Sequence, residues 1–129
     1  MNILDENVLE GQRRLLENWG ISFRQIGYEI GRKGMQDGEI IPFLLRLRQP
    51  SFFTSDHHFY NPPLCHGRYC LVYLDVSQLE AANFIRRLLR HPEFDTVAKR
   101  MGAVIRVSHT GLSVCRVHSQ RGLRFHWDD

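Results

Sequence analysis

The chain has 129 residues, 43% of them hydrophobic and 24% charged, which suits one folded domain around one core and argues against disorder. Its longest apolar stretch, Ile40 to Leu47, is interrupted by Pro42 and Arg46, so no membrane span is expected. The net charge of +3 is unevenly spread: Arg86, Arg87, Arg90, Lys99, Arg100, Arg106, Arg116, Arg121 and Arg124 crowd the later part, as a polyanion-binding surface requires and as a solvated basic face equally shows.

Asn2 to Asp5 reads as a short apolar strand ending in an acid. Val8 to Trp19 follows as an amphipathic helix with Val8, Leu15, Leu16 and Trp19 on its apolar side, closed by Gly20. Ile21 to Gln25 alternates as a second strand. Gly27 to Gly38 is a glycine-punctuated loop, and a short helix through Ile40, Ile41, Phe43, Leu44 and Leu47 stops before Pro50. Ser51 to Ser55 is a third strand ending at Asp56. Tyr69 to Leu74 is apolar almost throughout, as a strand buried on both faces should be.

Leu79 to Leu89 reads as a helix ended by Pro92, and Phe94 to Arg100 as a further helical piece. Ala103 to Val107 and Leu112 to Val117 read as a hairpin turning at Ser108-His109-Thr110-Gly111, with Leu123 to Trp127 as an added strand. The expected architecture is a single α/β domain over 1–129. Residues 1–100 would form a three-layer core on a mostly parallel sheet, and 101–129 a β-hairpin extension. The start at Met1-Asn2-Ile3-Leu4 shows no basic leader, and Cys65, Cys70 and Cys115 cannot all pair. Both features point to a cytoplasmic protein with reduced thiols.

In an open parallel sheet, ligands bind beyond the carboxyl ends of the strands. Asp5, Asp56 and Asp75 fall at such ends, and Asp37 and Glu39 open the short helix that could face the same crevice. Converging carboxylates repel one another unless a cation neutralises them. Oxygen donors favour Mg²⁺ or Mn²⁺, ions that support phosphodiester chemistry. Each acid also has a structural reading. Asp5 and Asp37 suit helix starts, Asp56 a turn, and Asp75 precedes the cap residue Ser77.

Three segments in order carry a resemblance: Asn2-Ile3-Leu4-Asp5-Glu6-Asn7-Val8, Gly34-Met35-Gln36-Asp37-Gly38-Glu39-Ile40, and Phe53-Thr54-Ser55-Asp56 followed by Phe59. Over roughly the first 75 residues the chain resembles the compact PIN-like family that opens with a DEN motif, the DUF5615-like and VapC-like toxin ribonucleases. The resemblance implies a PIN-like fold and a Mg²⁺- or Mn²⁺-dependent endoribonuclease acting on single-stranded RNA. It also implies the toxin of a type II toxin–antitoxin pair, with a cognate antitoxin covering the crevice. Asp5, Asp37 and Asp56 would be the catalytic, metal-holding carboxylates. Asn7, Thr54 and Glu39 would orient ligands or water, and His57 flanks the site where it could touch substrate. The chain departs from the pattern where His57-His58-Phe59 replaces an Asp-Phe pair. Asp75 is assigned the missing charge as a further metal ligand. The β-rich tail lies outside the resemblance.

His57, His58, Cys65, His66 and Cys70 lack the paired spacing of a zinc site, and Gly27, Gly31 and Gly34 match no phosphate-binding loop. Phe52, Phe53, Phe59, Tyr60 and Tyr69 could stack on bases, although Phe52 and Tyr69 suit the core better. Two other functions compete. One is a catalytically inactive PIN-like module that binds a partner protein or nucleic acid, which the His57-His58 loop favours. The other is a receiver domain, disfavoured because the late lysine it needs is only Lys99, on a helix. A tail edge strand would also allow homodimerisation.

Overall fold

The computed structural model describes residues 1–119 and 121–127, so three residues of the expected 101–129 extension, Gln120, Asp128 and Asp129, lie outside the described residues. The elements in chain order are β1 (Asn2–Leu4), α1 (Glu10–Asn18), β2 (Arg24–Gln25), α2 (Asp37–Leu45), β3 (Ser51–Thr54), β4 (Cys70–Leu74), α3 (Ala81–Arg90), α4 (Val97–Arg100), β5 (Ala103–Ser108), β6 (Gly111–Arg116) and β7 (Leu123–Phe125). Short 3-10 turns at His57–Phe59 and Pro62–Leu64 join β3 to β4.

The seven strands form one mostly parallel sheet in the order β2-β1-β3-β4-β5-β6-β7. The first five run parallel, and β6 and β7 close the sheet by antiparallel pairing. β5 pairs in parallel with β4 from Leu71↔Val104 to Leu74↔Val107. The α/β core therefore runs past residue 100, where the sequence placed its end, and only β6 and β7 extend it.

The strand period of two sorts side chains into two cores. Leu4, Phe53, Val72, Ile105 and Val114 lie in register on one face and pack with Leu16, Phe84, Ile85 and Leu88 from α1 and α3. Ile3, Phe52, Leu71 and Val104 form the matching row on the other face, under Ile40 and Leu44 of α2 and Phe59 and Tyr69 of the β3–β4 connection. Each fully buried side chain of this kind contributes about 1.5–3 kcal/mol. The layers are helix, sheet, helix, with α2 alone covering part of its face.

α1 starts at Glu10 rather than Val8, and Leu15 remains partly exposed. Gln12 takes a buried place on its inner face, where Oε1 accepts from the Ala82 backbone N–H at 2.9 Å and so caps the start of α3. Only Arg24 and Gln25 of the expected Ile21–Gln25 strand pair with β1, while Ile21 and Phe23 pack on the core without joining the ladder. α2 tolerates Pro42 within its span. Among the described residues, no helix is long and apolar enough to cross a membrane.

Candidate metal centre

The carboxyl ends of β1, β3 and β4 open on one edge of the sheet. Asp5 leaves β1 with its backbone N–H still bonded to the Phe53 carbonyl at 2.9 Å. Its side chain is half-buried, and Oδ2 accepts from Thr54 Oγ1 at 2.6 Å. Thr54 is fully buried at the end of β3, and the same Oγ1 accepts from the Asp56 backbone N–H at 3.0 Å. One hydroxyl thus sets the spacing between the first acid and the third.

The loop after β1 is held from the neighbouring strand. Gln25 Nε2 donates to the carbonyls of Asp5, Glu6 and Val8 at 3.1, 3.2 and 2.9 Å. Its Oε1 accepts from Arg13 Nη1 at 3.0 Å, which fixes the orientation of the amide. Arg13 is in turn held by a two-pronged ion pair with Glu29. Glu6 Oε1 accepts from the Gly34 N–H at 2.8 Å, tying the DEN segment to the glycine loop that leads into α2.

Asp37 is the first residue of α2, so the loop and the helix start together bring its carboxylate to the crevice. Burial and then the charge of Asp56 push its carboxyl above the usual carboxylate range, with a hydrogen bond to Asp56 and the charge of Asp5 adding to the shift. His58 works against it. Burial also raises Asp5, over the opposing hydrogen bonds from Thr54 and the backbone of Glu6 and Asn7, and the charge of Asp56 adds to the rise. For Asp56, burial acts upward, but the His58 N–H, the hydrogen bond with Asp37 and the His58 imidazole outweigh it and hold the group below its ordinary range. Asp37 and Asp56 therefore influence each other's titration, Asp37 shifted up and Asp56 down.

His58 completes this corner. Its backbone N–H and its Nδ1 both lie 2.9 Å from Asp56 Oδ1, and Nδ1 is 3.9 Å from Asp37 Oδ2. Asp56, His57 and His58 each offer a ligand atom within 4.8 Å of one another. Reading the histidines for zinc-type pair spacing misses this arrangement. The local signal is the unbroken Asp-His-His run at a strand end, which a 3-10 turn folds back on its own acid.

Of the residues singled out in the sequence, Asp5, Thr54, Asp37, Asp56 and His57 gather at this edge. Asn7 adds only its backbone N–H toward Asp5, and its side chain is exposed. Glu39 faces its own helix start, accepting from the Gln36 N–H at 3.5 Å and pairing with Arg32. Asp75 corrects the expectation of a further metal ligand. Its Oδ2 is held by Arg106 Nε and Nη2 at 3.0 and 2.6 Å, and Tyr73 Oη donates to Oδ1 at 3.3 Å. A carboxylate neutralised by a guanidinium on the next strand has little charge left to offer a cation.

Among the described residues, the group whose ligand atoms all lie within 4.8 Å of one another is Asp56, His57 and His58, with Asp37 and Asp5 beside it. Asp5, Asp37 and Asp56 crowd like charge at this edge, which a cation would relieve, and carboxylate oxygens suit Mg²⁺ or Mn²⁺. The imidazoles of His57 and His58 widen the donor set toward Mn²⁺, which accepts nitrogen more readily than Mg²⁺ does. The chain matches no protein-family model, no curated protein and no solved structure.

Proposed function

We propose that the protein is a divalent-metal-dependent endoribonuclease of PIN-like type, acting on single-stranded RNA. The observation that carries this reading is the convergence of Asp5, Asp37 and Asp56 at the ends of β1, α2 and β3, where Thr54 links Asp5 to Asp56 and His58 lies beside both Asp56 and Asp37. Asp5, Asp37 and Asp56 would hold Mg²⁺ or Mn²⁺, with His57 and His58 at the rim. Such an ion supplies Lewis acidity and positive charge for a phosphodiester under attack.

The protein's own groups do the rest. Thr54 fixes the Asp5 carboxylate, and Gln25 fixes the backbone that carries it, so the first acid is positioned before any ligand arrives. His58 sits against Asp56 and can hold a proton at Nδ1 as phosphate charge develops. The late arginines attract the polyanion. In the biological setting this reading implies, the chain is a cytoplasmic toxin whose antitoxin covers the acidic crevice.

A second reading, an inactive module that binds a partner, is favoured by one contact. A protonated His58 between Asp37 and Asp56 would neutralise the pair without a metal. Cleavage of single-stranded RNA with and without Mn²⁺ or Mg²⁺ separates the two. The nuclease reading expects metal-dependent cutting that disappears in Asp5→Asn and Asp56→Asn, while well-folded wild type that cuts no RNA supports the module.

A further inference from the structure

The side chains next in register after the buried row Ile3, Phe52, Leu71 and Val104 do not continue the core. On that same face, Thr54 pairs with Tyr73, Tyr73 with Arg106, Arg106 with Ser113 and Ser113 with Arg124. The row crosses from β3 to β7, four inter-strand steps of about 4.8 Å, or about 19 Å. It begins at Thr54, whose hydroxyl binds Asp5 in the candidate metal centre. Beyond Thr54 it emerges from the core: Tyr73, Arg106 and Ser113 are half-buried, and Arg124 is exposed.

Tyr60, from the β3–β4 connection, lies over this row. Its ring centroid is 6.4 Å from that of Tyr73 with the planes 30° apart, and burial, then Cys115, raise its phenol against the opposing influence of Arg106 and Ser113. Arg106 is held through Nε and Nη2 on Asp75, which sets the plane of its guanidinium. At the far end, Ser108, Thr110, Ser113, Arg124 and His126 line a cavity of about 370 Å³ together with Leu112 and Phe125. Ile40 and Leu44 of α2 pack over the row behind this end of the face.

We propose that this cross-sheet row is a binding track for single-stranded nucleic acid, leading from the acidic crevice across β4, β5 and β6 to β7. The proposal rests on the nuclease reading for the direction in which the strand enters. The occupant follows from the chemistry. Two phenol rings at a shallow mutual angle offer stacking faces, which every base can use, and the exposed Arg124 answers the phosphates beyond them. A duplex has its bases already stacked and cannot use the rings, so the track selects single strands. The β6–β7 tail thereby acquires a role: it carries the outer phosphate contact.

The test measures binding apart from cleavage. A short fluorescein-labelled oligouridylate is titrated with the full-length protein in EDTA, following anisotropy at several salt concentrations. Arg124→Gln and Tyr60→Ala are compared with wild type and with Arg14→Gln, on α1 against the opposite face of the sheet. Thermal unfolding checks that each variant is folded. The expected result is about tenfold weaker binding for Tyr60→Ala, and a salt slope lower by about 0.7 for Arg124→Gln, with Arg14→Gln unchanged. An oligodeoxyuridylate arm distinguishes RNA from DNA as the source of the strand.

Row variants that bind like wild type, a wild type that does not bind, or equal affinity for a labelled duplex would each overturn the track. Binding lost in the row variants while no RNA is ever cut with Mn²⁺ would leave the track standing and sink the nuclease reading. Metal-dependent cutting with unaltered binding in the row variants would do the reverse.

Discussion

Thr54 and Asp5, 49 residues apart in the chain, are joined by a 2.6 Å hydrogen bond that places a half-buried carboxylate at the mouth of the crevice. The bond stabilises the ionised form of Asp5, yet burial outweighs it and the group stays above its ordinary value of 3.8. The folded state therefore binds a proton here at a pH where the unfolded chain has released it. Stability falls as pH rises from 3.8 through the raised native value, and the ionised acid opposes folding above that window. Asp5→Asn keeps an oxygen for Thr54 and removes the charge. It should melt higher than wild type at pH 7, with the gap closing as pH falls, as calorimetry across pH 4 to 7 will record. A variant that melts lower at pH 7 would show that the hydrogen bond, not the burial, dominates.

Relief of the same repulsion predicts stabilisation by metal. Mn²⁺ at about a hundred times its dissociation constant should add about 2.7 kcal/mol. For a chain of this size that is a rise in Tm of roughly 10 °C. Asp56→Asn, which removes the acid held ionised by His58, should lose most of the response. Differential scanning fluorimetry with Mn²⁺, Mg²⁺ and Ca²⁺ reads this directly and ranks the ions.

Gln25 is a positioning residue that touches no reacting group. Gln25→Leu keeps the volume but removes the donor shared by the Asp5, Glu6 and Val8 carbonyls. The expected cost is about 2 kcal/mol in urea denaturation, at about 1 kcal/mol for each of the two amide N–H groups. Metal affinity should fall with it, measured by titration at a temperature where the variant is still folded. A variant that loses stability but binds Mn²⁺ as tightly as wild type would confine Gln25 to a structural role.

Gly111 opens β6 with φ 145°, and a Cβ built there would lie 2.3 Å from the Phe125 carbonyl oxygen. Gly111→Ala must push β7 away or distort the turn, at a cost of about 1–3 kcal/mol for the backbone conformation alone. Faster amide exchange at Leu123 to Phe125, with β1 to β4 unchanged, is the expected signature.

Full burial pushes the Cys70 thiol up to about 12, so its thiolate is scarce at any working pH. Iodoacetamide should leave Cys70 untouched in the native protein and alkylate it only on unfolding, as peptide mass spectrometry will show. Modification of Cys70 without denaturant would mean that β4 opens locally.

The parts legible in the sequence are those with local causes. Apolar strands that end in an acid are visible at Asp5 and Asp56, and the helix start at Asp37 follows from its glycine-rich lead. For β5 the cause is not local: Ala103 to Val107 and Leu112 to Val117 do form a hairpin, but the parallel pairing of β5 with β4 spans some 33 positions and leaves no local mark. The strand expected over Ile21 to Gln25 shows the converse. Its alternation is real, yet only two residues reach the ladder, because Ile21 and Phe23 pack toward the core instead. Asp75 reads as a site acid by position alone. Its partner Arg106 lies 31 residues on, and only the β4–β5 register brings the two together. Gln25 could not have been found at all, because a lone glutamine in a short alternating segment looks the same whether it faces water or three carbonyls.

The sheet is bounded by β2, two residues long, and β7, three residues long. An edge strand is a template on which another chain can grow, and its reach is set by the number of free backbone groups it presents in a row. Here the five middle strands carry the adhesive apolar sequence, and each of them already has two neighbours. The two ends offer too few rungs to seed a fibril or trade a strand with a second copy. A sheet that ends in such short strands does not propagate from them.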